Sequence, residues 1–349
     1  MIKYYTRACN FYFGQTSIEK IKKKQSIPLH GNKLISFDTV EILTRKTKKK
    51  ISIKKIKELK GKIKKKLLFD IYQIKKKKRF KYLNFSNIPV LMGILNLTPD
   101  SFSDGGKYNK NKNGLIHGKK LIGDGCQILD IGGESTRPGS KTVEPNKEWK
   151  RIFSTLSQVK KMKKIISLDT RKSSVMRKGI NNNVNLINDV SGLQYDPNTI
   201  IVLKQTNIPF VINHTLGNPT TMQKNPKYKN VVLDIYDFFD EKIKYIRSKG
   251  IKHNNIILDP GIGFGKNLKH NITLMRNISI FHSLGFPVML GASRKRFIRD
   301  LSGVNDSKER LGGTISSSLY AMMQGVQILR VHDVNEVNQS IKIFNSLKF

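Results

Sequence analysis

The sequence predicts an α/β protein: a (β/α)8 TIM barrel carrying a small, highly basic N-terminal extension. Two observations predict the barrel. From Pro89 onward the chain repeats one pattern eight times, a short apolar run that stops abruptly in polar or glycine-rich residues. Between the runs lie segments with apolar residues at helical spacing. Apolar runs without alternation read as strands buried on both faces, and parallel strands need crossovers of this kind. Eight such units match the count and size of a (β/α)8 barrel. A third observation sets off the extension: residues 1–88 hold 26 Lys/Arg against 5 Asp/Glu, whereas residues 89–349 hold 39 against 20. The chain is expected to divide near Ile88-Pro89 into a basic 1–88 extension and an 89–349 barrel.

Within the extension, residues 34–43 alternate enough for a strand. Residues 51–56 read as a second strand or as the start of a lysine-rich helix running towards Ile74. The expected product is a small, loosely packed α+β appendage. The barrel strands are expected at 90–95, 128–131, 165–168, 184–187, 209–212, 256–258, 287–290 and 326–331. Helices are expected between them, for example at 149–162, 173–180, 231–248, 272–284 and 310–324. The competing architecture is an open doubly wound sheet. It would usually carry a glycine-rich dinucleotide turn after its first strand. Here that strand runs into Asn96-Leu97-Thr98-Pro99, with no such turn.

Composition narrows the class. The formal charge of +40 on 349 residues invites a nucleic-acid or anionic-membrane partner. The lysines, however, come in short runs (48–50, 64–66, 75–78) with few interleaved aromatics and no nucleic-acid-binding motif. Abundant Lys, Asn and Ile fit compositional drift from AT-rich coding, so no nucleic-acid partner is expected. Two cysteines, Cys9 and Cys126, without metal-ligand spacing fit a reducing compartment. No apolar stretch approaches membrane-spanning length, and the N-terminus lacks the apolar centre of a secretory signal and the Arg/Ser richness of a transit peptide. The expectation is a cytoplasmic protein with no membrane partner.

In a barrel, chemistry sits where strands end and βα-loops begin. The residues past each run are, in order, Asn96 with Asp100, Phe102 and Asp104; Asp130 with Gly132 to Pro138; Asp169, Thr170 and Arg171; Asn188 and Asp189; Asn213 and His214; Asp259 and the PGIGFGK segment; Ser293, Arg294 and Lys295; and Arg330, His332 and Asp333. One aspartate at a strand end is usually a cap or turn residue. Polar residues at all eight ends, converging on one rim, exceed what capping needs.

Two of these segments, NLTPDSFSDGG (96–106) and GGESTRPG (132–139), resemble the signature segments of dihydropteroate synthases. LDTRK, INDVSG, DPGIGFGK, GASRKRF and RVHDV follow in that family's order, and the resemblance covers residues 89–349. It implies a (β/α)8 barrel that joins p-aminobenzoate to 6-hydroxymethyl-7,8-dihydropterin pyrophosphate, releasing pyrophosphate in folate biosynthesis. It implies a pterin pocket of Asp169, Asn188, Asp259 and Lys295, whose charged and amide groups suit the paired N–H donors and acceptors of the pterin edge. It assigns Asn96, Arg330 and His332 to the pyrophosphate, with Mg²⁺ neutralising the leaving group and Asn96 as its ligand. It places Phe102, Asp104, Thr136, Arg137 and Pro138 on loops that close over the substrates, with glycines 105, 106, 132 and 133 permitting backbone change. Phe264 and Lys295 would flank the p-aminobenzoate ring. Asn96, Asp104, Arg137, Lys295, Arg330 and His332 are the expected catalytic set, acting by positioning and electrostatics, with no nucleophile needed. A homodimer through outer helices is also implied.

Two positions depart from the family pattern. Asn213 stands where a Met usually precedes the His after strand 5. Arg296 follows Lys295 where many relatives have Ser, and it is expected to add positive charge for the p-aminobenzoate carboxylate. Two other functions compete. The pterin-binding barrel of a corrinoid methyltransferase would share Asn188-Asp189 and Asp259-Pro260-Gly261, but would not need TPDSFSDGG or the Arg330/His332 pair. A basic RNA-binding barrel would show steeply salt-dependent RNA affinity. The extension shows no resemblance to a pterin pyrophosphokinase; a lineage-specific appendage packed on the barrel is expected, with an anion-binding arm as the second reading.

Overall fold

A computed structural model describes residues 2–78, 80–86, 88–98, 112–135, 139–217 and 225–348. The extension folds as an antiparallel sheet backed by helix. Strand β3 (Asn32–Leu43) pairs along one edge with β1 (Tyr5–Phe13) and along the other with β2 (Ile27–Leu29) and β4 (Lys48–Ser52). Helix α1 (Gly14–Lys22) follows β1, and helix α2 (Gly61–Lys75) follows a 3₁₀ turn at Ile53–Glu58. Both readings of 51–56 thus hold in part: Ile51 and Ser52 end a strand and the next residues turn toward a helix. The first strand, β1, escapes the sequence reading. The unit is not loosely packed, since Phe13, Phe37, Val40, Leu67 and Ile74 lie in one buried cluster.

All eight expected barrel strands form, within about two residues of the expected bounds. They are β5 (Val90–Asn96), β6 (Ile128–Gly132), β7 (Ile165–Asp169), β8 (Leu186–Asp189), β9 (Phe210–Asn213), β10 (Ile256–Asp259), β11 (Met289–Leu290) and β12 (Ile328–Val331). Neighbours run parallel in the order β10-β9-β8-β7-β6-β5-β12-β11. The remaining seam between β10 and β11 is nearly closed, by a single parallel bridge from Leu258 to Val288 and the Leu258 N–H on Pro287 O at 2.9 Å. This ring excludes the open doubly wound sheet.

Outer helices return the chain between strands: α3 (Lys112–Gly123), α4 (Pro145–Val159), α5 (Ser173–Asn181), α6 (Thr199–Gln205), α7 (Val231–Ser248), α8 (Leu268–Arg276), α9 (Arg296–Ser302), α10 (Leu311–Met322) and α11 (Val334–Lys348). Some of their starts are capped by side chains. Glu144 caps α4 by accepting Lys147 N–H at 2.9 Å, with proline at the first helical position, and Asn230 caps α7. The helix expected at 272–284 breaks after Arg276, because Ile278–Leu284 continues as a 3₁₀ segment. The extension docks there and on α7: Ser279 Oγ donates to Ala8 O at 2.9 Å, and the Tyr5 and Tyr236 rings pack edge to face with centroids 5.2 Å apart. Arg45 adds ion pairs to Asp234 and Asp237 on α7. Among the described residues no helix is long and apolar enough to cross a membrane.

The barrel interior is layered. Val90, Met92, Ile128, Leu186, Val211, Ile257, Met289 and Ile328 form a buried apolar layer, stoppered from below by Leu83 and Phe85 of the segment leading into β5. Side chains two residues apart on a strand face the same way. One step up from that layer therefore lie Ile94, Asp130, Ser167, Asn188, Asn213, Asp259 and Arg330. The floor of the barrel is oil and its upper half is polar.

Candidate active site

The polar layer converges on Arg330. Its Nε donates to Asp130 Oδ2 at 2.7 Å and its Nη2 to Asp169 Oδ2 at 2.7 Å. Asn188 Nδ2 also donates to Asp130 Oδ2, at 3.0 Å. Asp130 is fully buried and Asp169, Asn188, Asn213 and Asp259 nearly so. Burial pushes the Asp169 carboxyl up; Arg330 opposes this, and Asp130 adds to it by repulsion. Burial also lowers a buried cation's proton affinity, but here Asp130 and Asp169 outweigh it and Arg330 holds its proton more tightly than usual.

Four oxygens in this layer are buried without a hydrogen-bond partner: Asp130 Oδ1, Ser167 Oγ, Asn188 Oδ1 and Asn213 Oδ1, on β6, β7, β8 and β9. Each such group costs about 1–3 kcal/mol in a closed interior. Four on adjacent strands mark a surface made to receive hydrogen-bond donors.

Asp259, at the end of β10, uses Oδ1 to accept Gly261 N–H at 2.8 Å. The turn-forming and ligand-facing readings of this aspartate are therefore compatible. Gly261 sits at φ +68°, and a Cβ there would lie 2.0 Å from His214 O, so the turn admits only glycine. The rest of the segment is held from within. Lys266 Nζ is buried and donates to Gly261 O at 2.9 Å and Phe264 O at 2.8 Å, with His214 Nδ1 at 3.0 Å. Burial drives its ammonium far down in pKa. Lys295 lies just before α9; its Nζ donates to Ile262 O and stands 4.1 Å from the Phe264 ring centroid. Burial lowers its pKa to about 8, against the attraction of Asp259.

The expected pyrophosphate residues have different hydrogen-bond partners. Arg330 points to the two carboxylates, whereas His332, just past β12, places Nδ1 3.0 Å from Ser293 Oγ. Asn96 closes β5 opposite Gly132 of β6. Arg296 begins α9 with its side chain 68% exposed, 3.5 Å from Asp300. Phe102, Asp104, Thr136, Arg137 and Pro138 lie outside the described residues, as do glycines 105 and 106. Gly132 belongs to β6, and a Cβ on Gly133 would lie 2.8 Å from Glu148 O, so Gly133 is needed for close packing against α4.

The sequence reading assigned no role to Asp130, although it stands at a strand end. The signal was available: it is the one charged residue inside the ILDIG run and falls two residues after an inward apolar position. Lys266 and the Glu134–Lys172 pair were likewise missed.

Among the described residues no three His, Cys, Asp or Glu side chains gather as a preformed metal cage. The rim fits Mg²⁺ nonetheless, because that ion keeps several waters and commonly takes few protein oxygens alongside substrate phosphate. Asn96 offers one such oxygen.

An eight-stranded parallel barrel with a carboxylate–amide layer at its upper rim defines a pterin-binding class of enzyme, and residues 92–332 match the family model for pterin binding enzymes. The chain is 41% identical over 264 residues to the dihydropteroate synthase of Neisseria meningitidis serogroup B, covering 74% of this chain and 93% of that relative. It is 40% identical over 256 residues to the Escherichia coli K12 dihydropteroate synthase, covering 73% and 90%. Among solved structures it resembles the Yersinia pestis dihydropteroate synthase with a sulfonamide drug complex (TM-score 0.72, 38% identity, 76% of this chain and 96% of that one). It also resembles the Xanthomonas albilineans dihydropteroate synthase with 4-aminobenzoic acid (TM-score 0.71, 34% identity, 76% and 94%). The chain belongs to the dihydropteroate synthase family, transferases of folate biosynthesis.

Proposed function

We propose that this barrel condenses 6-hydroxymethyl-7,8-dihydropterin pyrophosphate with p-aminobenzoate, and that its layers divide the work. The observation that supports the pterin assignment is the set of orphaned buried oxygens on Asp130, Ser167, Asn188 and Asn213, beside Asp169 and Asp259. A 2-amino-4-oxo pterin edge brings adjacent N–H donors, which satisfy such acceptors with charge-assisted strength. Lys295 donates to the ring's acceptor atoms, and with Phe264 it offers a cationic and an aromatic flank for p-aminobenzoate. Arg330, His332 and Asn96 face the pyrophosphate. Thr136, Arg137, Pro138, Phe102 and Asp104 complete the p-aminobenzoate side, and Arg296 adds positive charge at the rim for its carboxylate.

The C–O bond to pyrophosphate breaks as the electron-rich pterin stabilises the methylene carbon, and the aniline nitrogen then bonds to that carbon and loses a proton. The chain's residues orient the two substrates and offset developing charge. Mg²⁺, when bound with Asn96 and the pyrophosphate, supplies neutralisation of the leaving group.

The enzyme is proposed to act in the cytoplasm as a homodimer. Leu301 on α9, Tyr320 on α10 and Ile343 on α11 support an outer-helix interface, as large apolar side chains left exposed on consecutive helices. Metal removal tests the Mg²⁺ assignment. Chelation should abolish pyrophosphate release yet leave calorimetric binding of an unphosphorylated pterin intact. Full release in rigorously metal-free buffer would overturn it.

A further inference from the structure

Four ionisable side chains that the substrate assignments leave unused form one buried cluster behind the ends of β6 and β7. Lys172 Nζ donates to Glu134 Oε1 at 2.8 Å and to Glu148 Oε2. Arg171 Nε donates to Glu134 Oε2 at 2.9 Å. Thr170 Oγ1 donates to Glu148 Oε1 at 2.6 Å. All four carboxylate oxygens have donors, and two cations balance two anions. The Lys172 side chain is only 4% exposed.

What the cluster joins matters more than its charge. Glu134 stands at one stem of the segment after β6, and its Oε1 also accepts the N–H of Val143 at the other stem, at 2.8 Å. Ser140 Oγ ties back to Ser135 O at 2.6 Å, and Arg171 Nη2 reaches Thr142 Oγ1 at 3.3 Å. Arg151 Nη1 holds Gly133 O at 2.8 Å. The anchor for Glu134, Thr142 and Glu148 is Thr170-Arg171-Lys172, the residues directly after Asp169. Buried ion pairs add little net stability over apolar packing, but they impose geometry.

We propose that Lys172 is a positioning residue. Through Glu134, which also accepts Val143 N–H, it clamps both stems of the 135–142 segment to the strand end that carries Asp169, and so sets the affinity for p-aminobenzoate without touching it. This inference rests on the proposed role of Thr136, Arg137 and Pro138 in binding p-aminobenzoate.

The test is steady-state kinetics on Lys172→Met and on Lys172→Met/Glu148→Gln. The double variant removes one charge of each sign, so it keeps the buried cluster neutral should the single variant fail to fold. In the folded variant KM for p-aminobenzoate should rise about tenfold or more, with KM for the pterin substrate changed less than about twofold. A merely structural defect lowers the active fraction and leaves both KM values unchanged. Unchanged KM for p-aminobenzoate, or an equal rise for both substrates, would overturn the proposal. Arg137→Ala serves as the control. If it raises KM for p-aminobenzoate while the Lys172 variants do not, the clamp alone is wrong; if it too has no effect, the loop assignment beneath it is wrong.

Discussion

Arg330 Nε meets Asp130 Oδ2 at 2.7 Å across the barrel interior, two strands apart in the ring order β6-β5-β12. The same carboxylate oxygen accepts Asn188 Nδ2 at 3.0 Å. Asp130 thus aims a cation proposed for the pyrophosphate and an amide proposed for the pterin. Asp130→Asn keeps the shape and removes the charge. It should lower kcat/KM by about ten- to a hundredfold, the scale of one charge-assisted contact, with circular dichroism unchanged. Steady-state kinetics with both substrates checks this, and wild-type kinetics in the folded variant would remove Asp130 from the account.

Lys295 titrates near the working range. Burial lowers its pKa to about 8, with Asp259 resisting. The protonated ammonium is the donor the pterin needs, so the competent form is complete below that value and lost as pH rises through it. In the free enzyme kcat/KM for the pterin substrate should fall above about pH 8. Lys295→Arg, charged throughout, should lack this limb even if slower. A pH–rate profile that stays flat to pH 9.5 in wild type would show that Lys295 is not the donor.

The extension meets the barrel through two histidines. The His30 and His282 rings pack edge to face with centroids 5.0 Å apart, and both His30 nitrogens are buried without a partner. Burial drives His30 far down, and it lowers His282 to about 4, with Lys78 opposing protonation of both. A histidine whose folded pKa lies below its unfolded value leaves the folded state holding fewer protons. Stability is therefore lost as pH falls below about 6.5, by about 1.4 kcal/mol per pH unit per histidine down to the folded pKa. The melting temperature should drop between pH 7 and pH 5. His30→Asn should reduce that drop, because asparagine does not titrate and accepts the φ of +50° found there. An equal drop in the variant would place the acid sensitivity elsewhere.

Much of this was legible in the sequence for one reason. A strand buried on both faces of a barrel must be apolar without alternation, so 90–95 or 256–258 announces itself, and the polar residue at which each run stops marks the rim. Asp169, Asn188 and Asp259 followed from that rule. What escaped depends on contacts between distant segments. Strand β1 (YTRACNFYF) mixes polar and apolar residues and is made a strand by pairing with β3. Gly133 reads as a flexible residue until α4 is seen packed against it. Arg171 and Lys172 look like solvated charges beside a strand end, and only the fold brings Glu134 and Glu148 to meet them. Ile278–Leu284 has helical apolar spacing but is drawn into a 3₁₀ segment where the extension docks.

The most direct measurement is pyrophosphate release with the dihydropterin pyrophosphate, p-aminobenzoate and Mg²⁺, wild type against Lys295→Ala. The expected result is p-aminobenzoate-dependent release from wild type and its near-complete loss in the variant, with the fold retained. Absence of p-aminobenzoate-dependent release from folded wild type, or undiminished release from Lys295→Ala, would contradict it.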